Sequence, residues 1–314
     1  MVFAFVFFSP AATSPASIVF ETRAIPLDKE DPGKKTIGTL RYRGGFEIRT
    51  RQSRLGGFSS LAISADGLSL TALSDRGIRL NARLTYDRNG ALVGLADPTL
   101  DTLKNIDGAP LSGKKESDAE SIASDGVGGI FVAFERHHRI WHYAADGSPP
   151  KPLTKPAGLD DAPKNKGIEA LTRLQDGRLF ALTEELETEN GVLGWLGDAK
   201  GWSRLEYISK FGWFSPTGAA TLPNGDVALL EKQWNEKLHG DTIRIKRIPI
   251  ARIKPGAKLE GHILAELNLS LNIDKFEGID VRQDKQGRTL IYLISDNDFS
   301  QDRRTTLMLF ELTR

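Results

Sequence analysis

The sequence predicts an all-β fold made of repeated small sheets, on three observations. The stretch DAESIASDGVGGIFVAFE at residues 118–135 returns in outline as GFSSLAISADGLSLTALSD (57–75), GIEALTRLQDGRLFALTEE (167–185), PTGAATLPNGDVALLE (216–231) and FEGIDVRQDKQGRTLIYLISD (276–296). Counted from Ser59, Glu120, Glu169, Thr217 and Glu277, the steps are 61, 49, 48 and 60 residues. Each copy alternates apolar and polar residues, turns, and enters a second apolar run, which is the period of strands rather than helices. Finally, 31 Gly and 15 Pro are spread through a chain with almost no helical periodicity, as expected of many short strands. A repeat of this length built from strands points to a β-propeller with one blade per copy.

Within a copy, Asp66-Gly67, Asp125-Gly126, Asp176-Gly177 and Asn224-Gly225 supply the positive backbone angles of a tight hairpin. The first strand is rich in small residues, such as Ser59 and Ser60 or Gly218 to Ala220, which suits the crowded innermost position around a channel. The second strand is strongly apolar, as in Phe131 to Phe134 and Ile291 to Ile294, and fits between stacked blades. Blade one is expected to continue through 83–86 and 91–94, and blade two through 139–143. Candidate strands at 18–22, 36–42 and 46–50 precede the first copy, and none carries the hairpin signature. A propeller is closed by pairing an N-terminal strand with its last blade, so 46–50 is expected to pair with 305–312. Five blades are visible, and whether the remaining N-terminal strands form a sixth stays open. The connections at 96–117, 149–166 and 186–202 read as long loops, which in a compact domain usually form rims or lids.

At 314 residues and 39% hydrophobic content the chain can bury a large core, and residues 18–314 are expected to form one propeller domain, a monomer. A formal charge of +1 argues against nucleic acid as a partner, because phosphate contacts need a basic excess on some face. The absence of cysteine excludes disulfides, a Cys nucleophile and Cys-bound zinc. The apolar run at 2–8 and the small residues at 11–16 resemble the end of a secretory signal peptide lacking its basic n-region. Residues 1–17 are thus expected to be the remnant of an export signal or a disordered start, and the protein periplasmic or secreted. The alternative is a buried first strand. The run is too short to span a bilayer.

The acids carry the chemistry. Glu120, Glu169 and Glu277 share one register on three first strands, and Asp75, Glu135, Glu184, Glu231 and Asp296 end the second strand of the five copies. Equivalent positions on successive blades face one pseudo-symmetry axis, and carboxylates gathered there repel unless something positive compensates them. A hard cation with oxygen ligands is the simplest compensator, and Ca²⁺ suits carboxylates and water. The alternative is that each acid pairs with an Arg or a backbone amide of a neighbouring blade. Arg76, Arg136 to Arg139 with its two histidines, Lys232, and Arg303 with Arg304 lie just beyond second strands, where they could line the channel mouth and meet an anionic substrate. The alternative there is plain surface pairing.

The stretches GGFSSLAISADG, LSDRG, DAESIASDG, FVAFERHHRIWHY, NKGIEALTRLQDGRLFALTEE, WFSPTGAATLPNGDVALLEKQW, KFEGIDVRQD and LIYLISDNDF, in this order from about 38 to 312, closely resemble the phytase-like, "esterase-like activity of phytase" domain of bacterial proteins. The resemblance implies an exported repeat domain with phosphodiesterase- or phosphatase-type activity. Through its propeller phytase relative it implies calcium held by channel carboxylates, with metal or phosphate roles for Glu120, Glu169, Glu277 and Asp296. Blades one and four depart from the pattern, with Ser59 and Thr217 in place of Glu. The reading is a calcium-dependent phosphoric ester hydrolase acting on a small phosphorylated substrate. In it Asp75, Glu120, Glu135, Glu169, Glu231, Glu277 and Asp296 are candidate metal ligands, Glu120 has a catalytic role, and Arg136 or Arg76 stabilises developing charge. A non-catalytic binding propeller and a gluconolactonase-type lactone hydrolase are the alternatives. No G-x-S-x-G elbow supports a serine esterase.

Overall fold

The computed structural model describes residues 18, 20–198, 200–209, 214–236, 240–300 and 302–313, so the proposed export segment lies outside the described residues. The chain forms a five-bladed β-propeller. Blade one is Phe58–Ile63, Ser69–Ser74, Ile78–Tyr86 and Leu92–Thr102, and blade two is Ala119–Ser124, Ile130–Phe134, Arg139–Tyr143 and Lys151–Pro152. Blade three is Ile168–Arg173, Leu179–Glu187, Gly191–Asp198 and Gly201–Ile208, with Lys258–Leu259 added in parallel at its outer edge. Blade four is Ser215–Thr221, Val227–Asn235, Gly240–Ile248 and His262–Leu267. Blade five is Phe276–Gln283, Thr289–Ser295 and Thr305–Leu312, completed by the N-terminal strand Leu40–Thr50. The innermost strands touch in cyclic order, and that of blade five returns to blade one. Among the described residues no helix is long and apolar enough to cross a membrane.

Closure follows the pairing expected from sequence and extends it. Ile48 faces Thr305 and Phe46 faces Leu307, and the ladder continues to Leu40 opposite Leu312. The other N-terminal strands make no sixth blade. Phe20–Ala24 pairs with the free edge of the closing strand, and Thr36–Ile37 folds back on its start. Residues 186–202 are not a loop: Leu179–Glu187, Gly191–Asp198 and Gly201–Ile208 make two tight hairpins there. Likewise 96–102 belongs to the last strand of blade one. Polar residues and turn signals in these stretches mark exposed outer strands, where side chains on one face meet solvent.

The core is divided among the seams between blades. Phe46, Phe58, Leu61 and Tyr292 fill the seam between blades five and one; Leu73, Val132 and Phe134 that between one and two. Ala133, Ile140 and Leu171 fill the next, followed by Phe180, Leu182 and Leu229, then Leu230, Phe276 and Ile291. Both faces of a second strand therefore meet another blade, which explains continuous apolar runs such as Ile291 to Ile294, all fully buried.

One irregularity recurs in every blade. The ladder between first and second strands slips between Phe58 and Ser60, Ala119 and Ser121, Ile168 and Ala170, Pro216 and Gly218, and Phe276 and Gly278. Each slip is a β-bulge that leaves one residue without a partner and re-aims its side chain. The bypassed residues are Ser59, Glu120, Glu169, Thr217 and Glu277, the register shared by the five sequence repeats.

Because Phe46 is fully buried at the clasp, Phe46→Ala should cost about 3–5 kcal/mol of unfolding free energy. Val127→Ala, at a position 82% exposed, should change it by less than about 0.5 kcal/mol. Denaturant titration checks both, and a small loss at Phe46 would show that the clasp carries little of the ring's stability.

Candidate active site

The bulges turn three glutamates toward one small cavity of about 160 Å³ on the axis. Glu120, Glu169, Glu277 and Ser59 line it, and the strand-end acids Asp75, Glu135, Glu184 and Asp296 line it as well. Glu231 goes elsewhere. Its carboxylate is fully buried against blade three, accepting from the Tyr207 hydroxyl at 2.7 Å and lying 3.0 Å from Lys246 Nζ. Thr217 is buried at its bulge with no hydrogen-bond partner for its hydroxyl.

On one side of the cavity the carboxylates are continuous. Asp118, Glu120 and Glu135 offer oxygens within 4.8 Å of one another, and so do Glu135, Glu169 and Glu184. Glu135 joins the two groups. One of its oxygens accepts the Gly167 N–H, and the other, Oε2, is buried with no hydrogen-bond partner among the described residues. Gly167 permits that approach: a Cβ there would come within 2.6 Å of His138 Nδ1 and 3.3 Å of Glu135 Cγ. Asp118 is held from outside by Lys114 and by Arg136, whose Nε is 2.6 Å away.

The far side is compensated by ammonium groups. Lys232 Nζ lies 2.6 Å from Glu277, and Lys275 lies 3.1 Å from Glu277, 2.8 Å from Asp296 and 2.7 Å from Asp298. Lys166 pairs with Glu184 and Glu185 at 2.8 and 2.9 Å, and Lys114 with Asp75 at 2.7 Å. Lys114, Lys166, Lys232 and Lys275 all line the cavity.

The electrostatics divide along the same line except at Asp296, whose carboxyl is pushed up to about 8 by burial and the charge of Glu277 in spite of Lys275. Burial pushes the Glu120 carboxyl far up, helped by its hydrogen bond with Asp118 and the charge of Glu135. Burial, with Glu184 and Glu135, does the same to Glu169. Burial pushes Glu135 up to about 8 against the Gly167 hydrogen bond. Burial would raise Glu277 too, but Lys232 and Lys275 outweigh it and hold the group below its ordinary value. Burial lowers Lys232 and Lys275 less than the acids beside them raise them, so both stay charged at any ordinary pH.

Of the residues singled out from sequence, Asp75, Glu120, Glu135, Glu169, Glu277 and Asp296 meet at the cavity, whereas Glu231, Arg76 and Arg136 do not line it. Arg136 braces Asp118 and donates to Asn165 at 2.7 Å. Arg76 lies over the Phe299 ring, 3.5 Å from its centre. Glu184 and Lys232, also singled out from sequence, line the cavity; Lys114, Lys166 and Lys275 take the other cationic places, and Asp118 joins the carboxylates. A signal for them exists: Asp118, Lys166 and Lys275 each stand two or three residues before a bulged glutamate, and Lys232 directly follows a strand-end acid.

A five-bladed propeller with an axial cavity walled by carboxylates and lysines is the class that fold and site define. A model of the phytase-like family, described as esterase-like activity of phytase, matches residues 53–299, and the chain belongs to that family. No curated protein matches it. Among solved structures it is similar to a luciferin-regenerating enzyme, with 14% identity over 94% of this chain and 98% of that one and a TM-score of 0.45. It is also similar to a catalytically inactive virginiamycin B lyase from Staphylococcus aureus with quinupristin, with 12% identity over 92% and 99% of the two chains and a TM-score of 0.45. The major allergen of Malassezia sympodialis gives 13% identity over 87% and 88%, with a TM-score of 0.45.

The raised carboxyls fix a pH dependence for the protein in chelator. A carboxyl with a higher pKa folded than unfolded contributes stability that is complete below the unfolded value of about 4.5 and is lost as pH rises through the folded value. Stability should therefore fall between about pH 4.5 and 8, with Glu135 contributing at most about 5 kcal/mol at 1.36 kcal/mol per pH unit. Melting curves across that range should show the decline, and Glu135→Gln should flatten it. A flat wild-type profile would mean the acids stay ionised.

Proposed function

We infer that the protein is a divalent-cation-dependent hydrolase of phosphoric esters, with its site in the axial cavity and calcium as the cation. The observation that supports this most is the juxtaposition, in one cavity of about 160 Å³, of a continuous carboxylate string and four lysines. A phosphoryl group asks for both, since its oxygens need positive partners and its cation needs hard oxygen ligands.

The donor set fits a cation on its chemistry. It is all oxygen, it is crowded enough that protonation is the competing way to neutralise it, and Glu135 Oε2 is buried without a partner. Glu135 would hold the ion either with Asp118 and Glu120 or with Glu169 and Glu184, the two sets whose oxygens lie within 4.8 Å of one another. When bound, it would polarise a phosphoryl oxygen and make a bound water more acidic. Since these glutamates must shed protons to become ligands, affinity for the ion should rise with pH.

The chain's own residues do the rest. Lys232 and Lys275, permanently charged and fixed by Glu277 and Asp296, present ammonium groups to phosphoryl oxygens from blades four and five. Lys114 and Lys166 do so from blades two and three. Arg136 acts at one remove, holding Asp118 in place. The family and the apolar run at residues 2–8 support work after export, in the periplasm or outside the cell.

Calcium-loaded protein should turn over bis-nitrophenyl phosphate, and Glu120→Gln or Glu169→Gln should lower kcat/KM by roughly a hundredfold, about 2.7 kcal/mol of transition-state stabilisation. Lys232→Gln should lower the rate on this anionic ester and leave a neutral lactone unaffected; faster turnover of the lactone would select the lactonase instead. Calcium at a hundred times its Kd should add about 2.7 kcal/mol of stability over the chelated protein. No turnover of either ester and no shift in melting would leave a binding propeller.

A further inference from the structure

Beside the axial cavity lies a groove of about 660 Å³ walled by five arginines, Arg49, Arg51, Arg76, Arg303 and Arg304, together with Phe299. The two spaces share a wall. Asp75 lines the cavity and Arg76 the groove, and Asp298 lines the cavity while Phe299 lines the groove. Three of the guanidinium groups have carboxylate partners: Arg49 with Glu47 at 3.0 Å, Arg304 with Asp274 at 2.8 Å, and Arg303 with Asp298. Arg51 and Arg76, both exposed, form no ion pair with a carboxylate among the described residues.

The groove is built rather than incidental. Asp298 and Phe299 are consecutive non-glycine residues in the left-handed region, at φ 48° and 51°, a combination that surrounding structure must hold in place. It is held by Asn297, whose side-chain oxygen accepts from Gly57 N at 2.9 Å and from Phe299 N at 3.1 Å. Phe299 lies so close to Gly57 that a Cβ there would come within 2.1 Å of the ring. The rims of blades one and five are thereby locked together. Arg76 is stacked on Phe299 at 3.5 Å, which orients its plane, and the residue is exposed.

Planar guanidinium forks match phosphoryl oxygens bidentately, and several forks along one groove can engage several phosphoryl groups at once. The groove is also far roomier than the cavity it adjoins, with charge spread along it rather than gathered at one point. We propose that it seats a chain of phosphoryl groups continuing from the one held in the axial cavity, so that the substrate is a linear oligophosphorylated molecule rather than an isolated phosphoester. The proposal rests on the hydrolase reading for the identity of the cavity's occupant, while the groove's own binding needs neither metal nor turnover.

The test is calorimetric titration of the full chain in chelator with tripolyphosphate and, separately, with orthophosphate. Tripolyphosphate should bind at least about tenfold more tightly, since several guanidinium groups act together. Replacing both free arginines, Arg51→Gln with Arg76→Gln, should weaken it by about tenfold or more, the flat amide at position 76 keeping the stack on Phe299. Arg51→Glu, at an exposed position, should weaken it as well and does not disturb that stack. Val127→Ala, exposed and lining neither space, should leave tripolyphosphate binding within about twofold. Equal affinity for the two anions, or binding indifferent to the arginine changes, would overturn the proposal. Loss of binding in Lys232→Gln with no effect of the arginine changes would overturn it too, by placing the anion in the cavity alone. Because no cation and no reaction are involved, failure of the hydrolase reading would leave these results standing.

Discussion

Bringing carboxylates onto the axis of a closed ring sets them against one another, and the rest of the site is an answer to that repulsion. Each ion removed from water costs several kcal/mol, so a buried acid must find a cation, a hydrogen-bond donor or a proton. All three are present. Lys232 and Lys275 compensate Glu277 and Asp296. The Gly167 amide satisfies half of Glu135. Glu120 and Glu169 are driven toward protonation. These answers are not interchangeable. A lysine fixed by two acids stays where it is, whereas a proton can be exchanged for a metal ion, so the bulged glutamates of blades two and three, Glu120 and Glu169, are the groups that can take a cation in place of a proton.

That asymmetry comes from the blades that break the repeat. Blade four has Thr217 at its bulge, and its strand-end acid, Glu231, turns away to Tyr207 and Lys246. Alternation then sends the next residue, Lys232, to the opposite face, where it meets Glu277 of blade five. Blade four thus delivers a positive charge where its neighbours deliver negative ones. Blade one brings neutral Ser59 at its bulge. Five equivalent glutamates would have made a uniformly repulsive ring; two exceptions make a cavity with an acidic side and a lysine side.

The fold was largely legible because its signals are local. Asp-Gly and Asn-Gly turns, two-residue alternation and the apolar second strands gave the hairpins, and the closing pair 46–50 with 305–312 followed from the need to leave no open edge. The outer strands at 186–202 were hidden because their polar face and close turns imitate a loop. The shared register of Glu120, Glu169 and Glu277 was visible, but not its cause, since a bulge is a property of pairing between strands and leaves no mark in one strand alone. Glu231 could not be separated from Glu135 or Glu184 by sequence, as its direction depends on Tyr207, 24 residues earlier, and Lys246 in the next strand. Lys232 was legible from its place after a strand-end acid, but Lys114, Lys166 and Lys275 were obscured for a related reason: a long flexible side chain reveals its partner only when the surrounding strands are placed.

The arginine groove differs in origin from the cavity it adjoins. The cavity is made by repeated positions, the bulges and strand ends, so its residues are tied to the geometry that closes the ring. The groove is made where the repeat stops, from the end of the closing strand, the segment joining it to blade one, and the turn after Ser295. Changes there leave the innermost strands untouched, which is why loops at a rigid rim are suited to setting what a site accepts. The strained pair Asp298 and Phe299 ties the two together. Asp298 reaches Lys275 in the cavity while Phe299 anchors Arg76 in the groove, so one turn supports a cation of each space.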